Sequence, residues 1–313
     1  MYNEIQETST AQVLLAELRG KGIKGGDINE SHLRETYERM PREIPVPPVR
    51  EVTSLLSLPR PYEEISGTAA VIIETRPISY LPVIVEQVYR RLGIPIHVFH
   101  GRKNGDLLDT KILNKLRRSG SLTLSELSCD SIDHTIYNAL MMSPAFWEKT
   151  IARGRVLVFQ ADAVLCENSP FDLKDFEVYD YIGSLWGRYR PENIVVDGGN
   201  GGLSLRSWDQ MMTCFERFPG HGWHGGEDTY FCFHMEIIGA QVGLPNACAR
   251  FGTQFRFLEE SFGAHKPNSL PFRDQIAFLG YCPEAAPIIE GKFASLKLMT
   301  SALLRATGFR LRR

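Results

Sequence analysis

From residue 68 onward, short unbroken apolar runs alternate with stretches in which apolar residues recur every three or four positions, a pattern that predicts strands and helices in turn. Residues 69–75 (AAVIIET) read as a buried strand, 80–92 as a helix, and 94–100 (IPIHVFH) as a second strand. A helix over 107–118 and a short strand over 122–127 complete a βαβαβ start, which predicts a parallel, twisted sheet with ligands at the carboxyl ends of its strands. Helices near 132–141 and 144–151 lead into a strand over 156–161. Beyond Asp162 the chain turns aromatic and turn-rich, with a strand over 202–205 and helices over 208–218 and 228–238.

Residues 1–65 read as an extension: a helix near 11–19 with Ser9 or Thr10 as cap and Gly20 as stop, a polar helix near 31–39, then a Pro-rich link. Residues 66–283 are the expected catalytic domain, and 284–313 a basic amphipathic helix. That helix packs on its own domain in the favoured reading, with peripheral contact to an anionic membrane as the alternative.

Composition narrows the classes. With 43% hydrophobic and 23% charged residues the 313-residue chain is that of a globular protein, and its net charge of −2 gives no case for nucleic acid as a partner. The six cysteines include no Cys-x-x-Cys pair, and the N-terminus lacks a signal-peptide pattern, so the expected location is cytoplasmic.

Three segments carry candidate chemistry. Asp162 follows an apolar strand, where a carboxylate emerging at the sheet edge can hold Mn²⁺ or Mg²⁺ against diphosphate oxygens; the plain alternative is a turn aspartate. Glu227 and Asp228 follow Gly225-Gly226 at the start of a helix, so that one carboxylate can deprotonate an acceptor hydroxyl while the other orients a sugar. Equally, acids in a first helical turn simply suit the helix dipole. Gly201 and Gly202, in a Gly-rich stretch, can offer backbone N–H groups to an anion or a hydroxyl. His265 and Lys266 stand in a later loop as a ligand and a phosphate contact, and Glu74, Thr75 and Arg76 close the first strand where a nucleotide would lie. A rival cluster, His221, His224 and Asp228, suggests a metal-dependent hydrolase, although the two histidines lack the His-Glu-x-x-His spacing.

Taken in order, Val71-Ile-Ile-Glu-Thr-Arg76, Val98-Phe-His-Gly101, Tyr137-Asn138, Phe146-Trp147, Leu157-Val-Phe-Gln-Ala-Asp162, Tyr179-Asp-Tyr-Ile-Gly183, Gly199-Asn-Gly-Gly-Leu-Ser-Leu-Arg206, Glu227-Asp228 and Phe262-Gly-Ala-His-Lys-Pro267 resemble GT-A fold glycosyltransferases, above all a glycosyltransferase-like family of bacteria, fungi and viruses. Gly201-Gly-Leu-Ser204 and Gly222-Trp-His-Gly-Gly-Glu-Asp228 are more distantly similar to inverting β-1,4-galactosyltransferases. The resemblance implies an α/β fold of the GT-A, Rossmann-like kind, with a mixed, mainly parallel sheet flanked by helices. It further implies Asp228 as base, Glu227 as sugar contact, and Asp162 with His265 as metal ligands. Gln160 stands where such enzymes commonly carry the first acid of Asp-x-Asp, a departure that also suggests a non-catalytic nucleotide-sugar-binding protein. The expected reaction is hexosyl transfer from a nucleotide-sugar donor to a glycan or other hydroxyl acceptor, metal-assisted and inverting.

Overall fold

A computed structural model describes residues 8–40, 52, 54–55, 58, 63–186, 194–257 and 260–290. The Pro-rich link lies largely outside these residues, as does the segment beyond residue 290 of the expected basic C-terminal helix. Six strands form one sheet: β1 (Thr68–Glu74), β2 (Ile96–His100), β3 (Leu122–Glu126), β4 (Arg155–Phe159), β6 (Tyr181–Ser184) and β7 (Asn200–Ser207). Their order is β3-β2-β1-β4-β7-β6. Strands β3, β2, β1 and β4 are mutually parallel, whereas β7 runs antiparallel to both β4 and β6. The sheet is therefore mixed and mainly parallel, with β7 alone reversed.

The apolar runs form strands because both faces of the sheet are covered. Ala69, Val71 and Ile73 of β1 face one core, and Ala70 and Ile72 face the other. Val156 and Val158 of β4 likewise oppose Leu157 and Phe159. Helices Thr10–Gly20, His134–Met141 and Glu227–Ile238 contribute to the first core, and Leu81–Leu92 and Lys111–Arg118 to the second.

The N-terminal helices belong to this core. Ser9 caps Thr10–Gly20 by accepting from the Gln12 N–H, while Ala11, Leu18, Leu33 and Tyr37 are buried in the first core. The Tyr37 hydroxyl meets His234 Nε2 at 2.5 Å, and His234 Nδ1 faces the Tyr230 carbonyl at 2.7 Å. His234 is thus a buried bridge between the Glu30–Glu38 helix and Glu227–Ile238, and burial pushes its pKa down to about 3, leaving it neutral.

Several elements differ from the pattern-based expectation. The strand before Asp162 ends at Phe159, because residues 160–163 form a turn closed by the Ala163 N–H donating to the Gln160 carbonyl at 2.9 Å. Strand β7 begins at Asn200, two residues earlier than expected, so the glycines of the Gly-rich stretch lie within the sheet. Strand β6 and a small second sheet of β5 (Ala163–Leu165), β9 (Gly263–His265) and β8 (Gly252–Thr253) occupy segments read as loop. Cys166 and Cys282, 116 residues apart, form a disulfide, a pairing that local cysteine spacing does not reveal. Among the described residues no helix is long and apolar enough to cross a membrane.

The order places a topological switch between β1 and β4, since the chain proceeds outward from β1 to β3 and then returns to β1's other side. The carboxyl ends of β1 and β4 and the amino end of antiparallel β7 therefore meet at one edge. The loop after β2 is tied to the end of β1 by buried Asn104, which accepts from the Gly101 N–H at 2.8 Å and donates to the Glu74 carbonyl at 2.6 Å. Replacing Asn104 by Ala leaves both backbone groups unpaired, and denaturant unfolding should show a loss of about 2 kcal/mol.

Candidate functional site

Two carboxylates and an imidazole come together at this edge, each delivered by a different element. Asp162 sits in the turn between β4 and β5. The antiparallel ladder pairing Ala163 with His265 then sets His265 beside it, and the Lys266 N–H donates to the Asp162 carbonyl at 2.8 Å. His265 Nε2 lies 3.4 Å from Asp162 Oδ1 and 3.1 Å from Gln160 Oε1.

Burial works to raise the Asp162 pKa, but the nearby imidazole of His265, with the charges of Lys266 and Arg76, outweighs it and holds the carboxyl below its ordinary value. Arg76 is mostly exposed, its guanidinium donating to both oxygens of buried Glu74 at 2.9 and 2.7 Å. Thr75 is buried and accepts from the Ile132 N–H at 3.0 Å. Of the three residues closing β1, Glu74 and Thr75 are thus engaged internally, and the exposed head group of Arg76 is paired with Glu74 while its charge is felt at Asp162.

Asp228 approaches from the opposite side, on the first turn of the Glu227–Ile238 helix, whose N-cap is Gly226. Its Oδ2 accepts from the Gly201 N–H at 3.1 Å and from Asn200 Nδ2 at 3.3 Å, and its Oδ1 from the Thr229 N–H at 2.8 Å. Burial, and then the neighbouring charge of Glu227, push its pKa up to about 6 against the opposing hydrogen bonds of Gly201 and Thr229 and the charge of Arg206. Glu227 has another fate. It is buried, and Arg206 donates to its two oxygens at 2.6 and 3.1 Å.

The glycines of β7 separate these two groups. A Cβ at Gly202 would stand 2.2 Å from His265 Nε2, and one at Gly201 would stand 2.3 Å from Glu227 Oε1 and 3.0 Å from the Asp228 Cβ. His265, and Asp228 with Glu227, therefore pack against adjacent residues of one strand. The expectation that Gly201 and Gly202 offer free N–H groups to a ligand is corrected here: the first donates to Asp228, the second to Asn200 Oδ1 at 2.8 Å. Their contribution is the missing side chain. Gly226 serves similarly, since a Cβ there would meet Asp228 Oδ1 at 2.7 Å.

The chemistry of the Asp162 pocket suits a hard divalent cation. Asp162 Oδ1 is buried without a hydrogen-bond partner, and its separation from His265 Nε2 and that of Gln160 Oε1 are near the ~3 Å expected between adjacent ligands around a cation with bonds of about 2.1 Å. Among the described residues no group of three or more His, Cys, Asp or Glu side chains gathers to hold a metal, so a cation here would complete its shell with substrate or water oxygens. Among the described residues no such cluster gathers around Asp228. His224 lines a cavity of about 550 Å³ with Glu30, Arg34, Tyr37 and Glu38, and the side chain of His221 lies outside the described residues.

Sequence reasoning assigned no role to Asn138, Asn200, Arg206 or Tyr137. Asn138 Oδ1 accepts from the Glu227 N–H at 2.8 Å, taking up one free donor of that helix terminus. Tyr137, Asn138, Asn200 and Arg206 all stand in the quoted resemblance segments, which was the one signal available for them.

Two outcomes follow from the geometry. Gly202→Ala should displace His265, read as altered chemical shifts of the His265 imidazole. Asp228 has a folded pKa raised from 3.8 to about 6, so its ionised form costs stability that is absent below pH 4 and reaches its full extent above pH 6. Asp228→Asn should therefore raise unfolding stability at pH 8 by on the order of 1 kcal/mol and leave it little changed at pH 4, measured by denaturant titration.

Residues 124–271 match a family model described as Protein of unknown function (DUF5672), which covers just under half of the chain. No match was found among curated proteins. Among solved structures, the chain is similar to the apo-form glycosyltransferase GlyE of Streptococcus pneumoniae, at 12% identity over 73% of this chain and 63% of that one, with a TM-score of 0.41. It is also similar to TarS 1-349 of S. aureus, at 13% identity over 64% of this chain and 60% of that one, with a TM-score of 0.39. A third is the mannosyltransferase PcManGT of Pyrobaculum calidifontis in complex with GDP-Man and Mn²⁺, at 12% identity over 96% of this chain and 87% of that one, with a TM-score of 0.38. At such scores these are likenesses of general architecture, and function has to be argued from the site.

Proposed function

We propose that the chain is a GT-A-like glycosyltransferase that moves a hexosyl group from a nucleotide-sugar donor to an acceptor hydroxyl with inversion. The observation that carries this reading is the placement of His265, beside Asp162, against Gly202 and of Asp228 against Gly201, on the strand next to β4 and its carboxyl end. Sugar transfer needs such a pair of stations: one that neutralises a departing diphosphate, and one that takes a proton from the incoming hydroxyl.

On the donor side, Asp162 and His265 would hold Mn²⁺ or Mg²⁺, with Gln160 Oε1 beside them. A bound cation offsets charge on the leaving diphosphate. Arg76 and Lys266 carry positive charge toward the same point, where either can pair with phosphate oxygens. Gln160 in place of an acid makes the pocket less negative, and the neighbouring cations of this chain share the neutralisation.

On the acceptor side, Asp228 is the base. Three hydrogen bonds fix its carboxylate, and a pKa of about 6 makes it a better proton acceptor than an ordinary aspartate while leaving it ionised at neutral pH. Direct attack by a hydroxyl activated there, opposite the departing diphosphate, inverts the anomeric centre.

Asp228→Asn should lower transfer 10²–10⁴-fold, measured as donor consumption in the presence of acceptor, while UDP affinity by calorimetry stays within twofold. Retained turnover would remove Asp228 as base. The rate should also fall tenfold per pH unit below about pH 6, because protonated Asp228 cannot accept a proton. For the metal, UDP should bind at least tenfold more tightly with Mn²⁺ than without, and Asp162→Ala should abolish the difference. Equal affinity in both conditions would rule out the bridging cation.

A further inference from the structure

We propose that Arg206 and Glu227 form a buried positioning clamp that fixes the Asp228 carboxylate against the amino end of β7, and that Glu227 does not itself touch the sugar. The proposal rests on the reading of Asp228 as the base. It reverses the role that the sequence resemblance gave to Glu227.

The argument begins with what Arg206 holds. Its side chain is fully buried on the first-core face, with the guanidinium 5.1 Å from the Tyr181 ring centroid and 5.3 Å from that of Phe231. Two of its nitrogens take both oxygens of Glu227, and Nε donates to Ser204 Oγ at 2.9 Å. Ser204 in turn donates to the Gly201 carbonyl at 3.1 Å, and Arg206 Nη2 lies 3.4 Å from that same oxygen. The peptide gripped through its carbonyl is the residue whose N–H holds Asp228.

Two routes therefore run from one guanidinium to Asp228: through Glu227, its neighbour in the helix, and through Gly201 in the strand. Together they close a ring that locks the first turn of the helix onto the strand edge. Asn138 completes it by accepting the Glu227 N–H. An apolar pair of similar volume would fill this space with less desolvation cost, but it would not impose the direction that a bidentate guanidinium–carboxylate pair imposes. Both Glu227 oxygens are occupied and only 5% of the side chain is exposed, whereas Asp228 beside it is partly open.

The field at Asp228 comes from Glu227 and Cys232 on its own helix, Arg206 on β7, Tyr181 on β6 and Tyr137 on the His134–Met141 helix. Among these only Glu227 and Arg206 are charged at neutral pH, with opposite signs. Positioning has a signature beyond these charges: a loss of kcat at unchanged KM that persists when both are removed together. Removing either partner should move the Asp228 titration in opposite directions.

The test follows Asp228 by carboxyl carbon-13 NMR of aspartate-labelled full-length protein, with Asp228→Asn identifying its resonance. Glu227→Gln should lower the titration midpoint and Arg206→Met should raise it, each by at least half a pH unit. The double variant Arg206→Met/Glu227→Met keeps the core apolar and folded; its midpoint should fall between those of the single variants, and its kcat should drop 10–100-fold with donor and acceptor KM within twofold. Midpoints that stay put, or a Glu227→Gln variant that raises acceptor KM alone, would overturn the clamp and return Glu227 to the sugar. Turnover retained in Asp228→Asn would instead sink the transferase reading, while the titrations would still judge the clamp.

Discussion

Two consecutive glycines at the start of β7 have no room for a side chain on either residue. One faces the imidazole of His265 and the other the Glu227 carboxylate and the Arg206 guanidinium, at distances no Cβ can share. The site depends on this constraint, because groups brought by a turn, a small sheet and a helix converge only if the strand between them is bare. Glycine here acts through close approach and not through flexibility, since both residues lie in a paired strand.

The rest of the fold serves that approach. Parallel strands β1 and β4 bring Arg76 and Asp162 to one edge, and the reversal of β7 brings its amino end to the same place. The short ladder of β5 and β9 then sets the charge balance: Asp162 is held ionised by His265, Lys266 and Arg76, while Asp228 is pushed toward protonation by burial and by Glu227. Two aspartates of the candidate site are thereby given different chemistry by their surroundings, one kept anionic and one made basic.

Much of this order was legible in the chain. The strands and helices from residue 68 to 160 follow from hydrophobic periodicity, since a sheet covered on both faces requires continuous apolar runs. Strands β5, β8 and β9 escaped because two or three residues carry no period, and β6 because its four residues sit in an aromatic stretch resembling a turn. Asp162, His265 and Asp228 could be named from their motifs. What the motifs could not show was the direction of each group: that the glycine N–H groups are used internally, and that Glu227 turns inward. The second depends on Arg206, whose partner lies 21 residues away and whose burial no local pattern announces.

The central claim is that the Asp162–His265 pair and Asp228 serve one substrate held between them. Anomalous scattering from crystals grown with UDP and Mn²⁺ tests it most directly. The account predicts a manganese peak ligated by Asp162 and His265, with the diphosphate bound to it and the nucleotide's open end facing Asp228. A nucleotide bound elsewhere on the molecule, with the Asp228 carboxylate out of reach, would contradict it.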